Sequence, residues 1–242
     1  MDEKLLQNKI KRKYQQKFFL EYQEHYYSQN GEAGILNELL KRLEIPKGWL
    51  VEVGASDGKT LCNTFHLIKS KQFNGIYIDS GRFCFRRLKL LAEEYPNLLV
   101  FLATINPTSF NQLLGKTAIP NDFDILSLDI DSFDYQVWEA LEYKPKIVII
   151  EANPRIPGEY IFNPDSFWKD QTRAVDIKKD KLIDYAGSSF TSMWKLGIKK
   201  GYTYIGPCTT NGIICQQTGN MFFIRNDLVQ KLKLNEIPEI ND

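Results

Sequence analysis

Short, nearly continuous apolar runs at 49–53, 75–79, 98–103, 123–128 and 147–150 constrain this chain more than any other feature. A strand that is apolar on both sides needs cover on both faces, and helix-length connections make neighbouring strands parallel. The pattern predicts helices over 83–94 and 135–141 and a helical segment over 59–71. Two later runs, 202–205 and 221–224, read as a closing antiparallel pair around Asn211-Gly212. The expected class is α/β: a Rossmann-like, doubly wound, mostly parallel sheet of about seven strands with an N-terminal helical extension.

The extension is expected over residues 1–47 and the sheet domain over 48–242. Residues 2–27 read as one helix, with Phe18, Phe19, Tyr22 and Tyr26 at helical spacing. Ser28-Gln29-Asn30-Gly31 breaks it, and a second helix over 35–43 ends at Pro46 and Gly48. Residues 154–185 form a long polar stretch, and Gly187-Ser188-Ser189 reads as an N-cap for a helix over 190–200. At 242 residues and 43% hydrophobic, the chain can bury a full core.

A net charge of +1 argues against a broad nucleic-acid or membrane footprint. No apolar run is long enough to span a bilayer, and the charged N-terminus lacks a signal-peptide pattern. Cys62, Cys84, Cys208 and Cys215 show no C-x-x-C spacing and read as small core residues in a reducing, cytoplasmic setting.

The chemistry concentrates at the strand ends. Glu52-Val53-Gly54-Ala55-Ser56-Asp57-Gly58 places glycines and a carboxylate at one strand-to-helix turn. Glycines let the backbone pass close under a ligand. A carboxylate there disfavours phosphate and suits an ammonium or a hydroxyl, a combination that fits S-adenosylmethionine. Asp79, about 20 residues past the turn, is placed to accept ribose hydroxyls, or to cap the next helix. Asp129, Asp131 and Asp134 follow the fourth strand, and Glu151 and Asn153 the fifth. Asp129, Asp131, Glu151 and Asn153 are oxygen donors suited to Mg2+ or another divalent metal. Asp131 and Asp134 equally suit the start of a helix. His25, near Gln29 and Glu32, is a candidate general base, with Asp129 or Asp131 serving otherwise.

These elements in this order resemble the class I S-adenosylmethionine-dependent methyltransferases, and among them the FkbM-like group. The resemblance rests on Ser28-Gln29-Asn30-Gly31-Glu32-Ala33-Gly34-Ile35, Glu52 to Gly58, Cys62-Asn63-Thr64, Gly75 to Asp79, Leu126 to Asp131, Glu151-Ala152-Asn153-Pro154, Gly187-Ser188-Ser189 and Gly201-Tyr202. It departs from the group's pattern at Ala33, often an acid, and Ser132, often a glycine. It implies cofactor contacts from Gln29, Glu32, Glu52, Gly54, Ser56, Asp57, Gly58, Asn63, Thr64, Asp79 and Asp129. It also implies transfer to an oxygen, often on a sugar, a glycan precursor or another small polar metabolite. Arg155, Tyr160, Phe162, Phe167, Trp168 and Arg173 are candidate linings of the acceptor pocket. The segment 28–34 and the loop 154–185 are expected to frame the mouth and close over it.

The strand ends also resemble those of catechol-type O-methyltransferases. Asp129 matches a metal-ligand acid and Asn153 a metal-ligand amide, but Ala152 stands where the second acid belongs. Two other readings compete. Gly58-Lys59-Thr60 looks like the end of a phosphate-binding loop, yet Gly54 to Gly58 is one residue too short to wrap a phosphate. A non-catalytic cofactor-binding or scaffold protein of the same fold is the other.

Overall fold

The computed structural model describes residues 19–130, 132–154, 156, 158–163, 175–176, 181–182, 187–207, 209–210, 213–214 and 219–233. The apolar runs become β1 (Gly48–Val53), β2 (Phe73–Asp79), β3 (Leu98–Leu102), β4 (Ile125–Leu128) and β5 (Ile147–Ala152). The closing strands are β6 (Tyr202–Pro207) and β7 (Gly219–Arg225). All seven form one sheet in the order β3-β2-β1-β4-β5-β7-β6. β1 to β5 pair parallel, while β7 pairs antiparallel to both β5 and β6. The expected doubly wound fold and its antiparallel closure are both present. Asn211 and Gly212 themselves lie outside the described residues.

Helices α1 (Glu32–Arg42), α2 (Phe65–Lys69), α3 (Arg82–Glu94), α4 (Pro107–Leu114), α5 (Asp134–Ala140) and α6 (Phe190–Lys199) connect and cover the strands. Period-2 alternation sends Leu50 into a cluster with α1, α2 and α3, and Val51 and Val53 into a second cluster with α4, α5 and α6. Phe19, Leu36 and Leu39 belong to the first cluster, so α1 is packed into the body of the sheet.

Four expectations about local structure change. Within the described residues, the N-terminal helix does not run to Tyr27. A 3-10 turn at Leu20–Tyr22 gives way to a loop that folds back, with the Glu24 N–H donating to the Gly31 carbonyl at 3.3 Å and the Gln23 amide to the Asn30 carbonyl at 2.7 Å.

The helix expected over 59–71 is confined to Phe65–Lys69. The Asp57 carboxylate ties down the Lys59 and Thr60 N–H groups, and Leu61 sits at φ 59°, so the chain turns before it can coil. Helix α4 is an addition between β3 and β4. Asn106 caps it in a capping box with Ser109, and Pro107 opens its first turn. β5 continues through Ala152, which puts Glu151 inside the strand, opposite Asn220 of β7. Among the described residues, no helix is long and apolar enough to cross a membrane.

Candidate active site

Strand order reverses between β1 and β4, and in such sheets a crevice opens beyond the carboxyl ends of the strands. A cleft of about 800 Å³ lies there. Gly54 and Ser56 line it after β1, Asp79 and Ser80 at β2, Thr104 and Ile105 after β3, and Asp129 and Phe133 after β4. Gln29, Asp57, Cys62 and Arg87 also face it.

Gly54 has φ 82°, and a Cβ there would stand 1.8 Å from the Asp129 carbonyl oxygen. Close approach of the β4 end therefore demands glycine before any ligand is considered. Gly58, at φ 77°, packs against Leu88 and Leu91 of α3 and does not line the cleft.

Asp79 is fixed by two backbone donors. The Ser56 N–H reaches one carboxylate oxygen at 2.8 Å and the Gly81 N–H the other at 2.7 Å. Each oxygen keeps a lone pair, so the group can accept further hydroxyl protons from the cleft. Ser56 holds φ 50°, a costly value for a residue with a Cβ. Asp57 accepts from the Lys59 N–H, the Thr60 N–H and the Thr60 hydroxyl, with Arg87 3.9 Å away. Burial pushes its carboxyl up, but these donors outweigh it and hold the group below its ordinary value.

Glu52 lies beneath the cleft, not in its wall. It is 5% exposed and accepts from the Asn63 N–H at 3.1 Å and the Thr64 hydroxyl at 2.8 Å. Thr64 also shares a hydrogen bond with the Tyr77 hydroxyl at 3.0 Å, and the Cys62 thiol donates to that hydroxyl at 3.3 Å. Asn63 donates to the Ser127 hydroxyl at 3.0 Å. Burial pushes the Glu52 carboxyl up to about 7; Thr64, Asn63 and Ser127 pull against it, and the Asp129 charge adds to the rise. Asn63 and Thr64 are buried with Glu52, and the cleft is reached through their neighbour Cys62.

Asp134 plays a comparable part under β4. It is 1% exposed and accepts from the Ile130 N–H at 2.9 Å and the Ser132 N–H at 3.1 Å, so it shapes the loop that carries Asp129. Burial, then the Asp129 charge, pushes its carboxyl up to about 8 against those donors.

Glu32 is fully buried, accepting from the Asn30 N–H at 2.7 Å and the Asn220 amide at 3.0 Å. It pins α1 to β7 and presents the preceding loop, from which Gln29 reaches the cleft. His25 is exposed on that loop and does not line the cleft. His66 is packed in α2 with Nε2 3.0 Å from the Asn37 amide oxygen; burial pushes its imidazole down to about 4.

The metal reading loses its support. Among the described residues no group of three or more His, Cys, Asp or Glu could hold a metal ion. Asn153 is buried, its N–H bonded to the Ser188 carbonyl, and neither it nor Glu151 lines the cleft. Asp131 lies outside the described residues. Of the candidate acceptor-pocket residues, Arg155, Phe167, Trp168 and Arg173 also lie outside them. Phe162 is buried edge-on against Phe133, with ring centroids 5.9 Å apart, and the Tyr160 N–H bonds the Ser189 hydroxyl.

Thr104, Ile105, Cys62, Arg87 and Phe133 are cleft residues that strand-end reasoning from charge did not reach. The same rule applies to the end of β3, but Ala103-Thr104-Ile105 carries no charge to draw attention to it.

Among solved structures, the chain is similar to the N-terminal domain of EvdMO1 with SAH bound. The identity is 11% over 93% of this chain and 97% of that one, with a TM-score of 0.50. A candidate sarcosine dimethylglycine methyltransferase from Galdieria sulphuraria matches at 12% identity over 81% and 88% of the two chains, with a TM-score of 0.52. The CurJ carbon methyltransferase matches at 14% identity over 79% and 52%, with a TM-score of 0.51. At such identities the likeness lies in the fold, the Rossmann-like fold of these methyltransferase structures. No protein-family model matches the sequence, and no match is found among curated proteins.

Proposed function

We propose that the protein is an S-adenosylmethionine-dependent methyltransferase of the FkbM-like kind. Its acceptor is a hydroxyl on a sugar, a glycan precursor or another small polar metabolite. The observation that carries this reading is the cleft at the β1/β4 crevice, where Asp79 is held by Ser56 and Gly81 with acceptor capacity left over. A volume of about 800 Å³ suits a nucleoside-sized ligand together with a small acceptor.

The donor set fits that cofactor. Asp79 takes the ribose hydroxyls, and Ala103 and Ile105 offer apolar contact to a purine. The turn at Gly54, Ala55 and Ser56 would hold the methionyl end, and Asp129 would supply negative charge to a sulfonium. Glu52, Asn63 and Thr64 act from below by fixing that turn, and Glu32 acts through the loop bearing Gln29. The cofactor supplies an electrophilic methyl group.

The chain must align an acceptor oxygen with that group and remove its proton. Asp129 is the cleft carboxylate placed to receive the proton, and Asp134 fixes the loop that carries it. Calorimetry with S-adenosylmethionine tests the first half of this reading, and absence of heat from the folded protein overturns it. A methyl-transfer screen with labelled cofactor against sugars, nucleotide sugars and phosphorylated metabolites tests the second. Asp129→Asn is expected to cut turnover at saturating cofactor by about 100-fold or more.

A further inference from the structure

Helix α3 breaks the rules that make a surface helix stable on its own account. It begins at Gly81 without a side-chain cap and carries no acid in its first turn. Arg82, Arg86, Arg87 and Lys89 occupy it before the first carboxylate, Glu93. Cations near a helix N-terminus oppose its dipole. Leu88 and Leu91 face the sheet. At 100° per residue the opposite face carries Arg82, Phe83, Arg86, Lys89 and Leu90, with an acid, Glu93, in the last turn.

Phe83 is 81% exposed and Leu90 66%, so two large apolar side chains seven residues apart form a ridge in water. Arg82, Arg86 and Lys89 flank that ridge on one side and Arg87 on the other. Among the described residues, neither Arg82, Arg86 nor Lys89 pairs with a carboxylate; Arg86 lies over the Phe83 ring at 5.8 Å and Lys89 over the Phe85 ring at 5.6 Å. Local departures of this kind, without a packing gain, mark positions kept for something outside the fold.

We infer that this face of α3 docks the protein on a membrane surface rich in anionic lipid. An apolar ridge flanked by long cationic side chains is the arrangement that lies in a headgroup layer. Phe83 and Leu90 enter the acyl boundary while the Arg and Lys stems lie alongside and their charged ends meet phosphates. An aliphatic Leu90 beside the aromatic favours this over single-stranded nucleic acid, which is held by stacking on aromatic rings. The net charge of +1 does not oppose it, because the footprint is local: Arg82, Arg86, Arg87 and Lys89 stand together on this one helix. Ser80 and Arg87, at the start and on the flank of α3, also line the cleft, so docking would bring the cleft mouth to the headgroup layer. The inference does not rest on methyl transfer.

Vesicle flotation of the full chain at physiological salt is the test. Vesicles of phosphatidylcholine alone are compared with phosphatidylcholine containing phosphatidylglycerol. The expected result is partition onto the anionic vesicles only. Both Phe83→Ser/Leu90→Ser and Arg86→Glu/Lys89→Glu should lower the partition coefficient more than about tenfold. Both variants should keep the urea midpoint close to that of the unsubstituted protein, since all four side chains point to solvent. No partition onto any vesicle overturns the inference. Full binding by a folded Phe83→Ser/Leu90→Ser protein also overturns it, because general electrostatic adsorption needs no ridge. Displacement from vesicles by single-stranded polyuridylate that itself binds more tightly assigns the face to nucleic acid instead.

Discussion

Glu52 and Asp79 sit on adjacent parallel strands and project from the same face of the sheet, yet they inhabit different environments. In the β1–β2 register Glu52 lies opposite Tyr77, so Asp79 stands two residues nearer the strand ends. That separation is about 7 Å, the depth of one turn of chain. The turn from Asp57 to Thr64 fills it, capping Glu52 and leaving Asp79 at the rim. One carboxylate thus serves the fold, its carboxyl pushed up to about 7 by burial, while the other lines the cleft with acceptor capacity to spare. Residue type did not separate them; depth along the strand did.

The largest expected effect tests the floor that both acids share. Gly54→Val places a branched Cβ against the Asp129 carbonyl oxygen at a φ of 82°, so a loss of about 4 kcal/mol in urea unfolding is expected. Wild-type stability in this variant would show that β1 and β4 do not approach so closely.

The pH dependence of folding comes next, and it isolates the buried member of the pair. Glu52 rises from 4.5 to about 7 and Asp134 from 3.8 to about 8, so both hold their protons more tightly when folded. Their contribution is fully present below about pH 4 and is lost as pH rises through 7 and 8. The urea midpoint should therefore fall between pH 5 and pH 8, with a share from Glu52 on the order of 3 kcal/mol. Glu52→Gln should flatten that slope; an unchanged slope in Glu52→Gln would remove Glu52 from the buried network.

Asp79→Ala sharpens the other half of the comparison. It should weaken S-adenosylmethionine binding by about 1.5–3 kcal/mol, read by calorimetry, because hydrogen bonds to a charged group are lost. Equal affinity in a folded Asp79→Ala protein would leave the ribose without its partner. Asp57→Ala should have the smallest effect, about 1 kcal/mol of stability, since it removes turn bonds at a half-exposed site. A loss as large as that of Gly54→Val would mean that the 57–64 turn, not the sheet, carries the floor.

The sequence by itself determined the architecture. Apolar runs with helix-length spacing dictate a parallel, doubly covered sheet, because such strands have no other way to stay out of water. The same runs show where the cleft lies, since Gly54, Asp79 and Asp129 sit at strand ends that the fold gathers at one crevice. Cap chemistry also announced α6 through Ser189, whose hydroxyl accepts from the Ser192 N–H. The equivalent signal at Asn106-Pro107 marks α4 equally well. What only the tertiary structure decided was which carboxylates face the cleft. Glu52, Glu32 and Asp134 are polar, near the strand ends and close in sequence to cleft residues. Each is nevertheless buried by partners distant along the chain: Asn63 and Thr64 beneath the turn, Asn220 from β7, and the backbone of the β4 loop. Burial is a property of what packs on top, and no single strand carries that information.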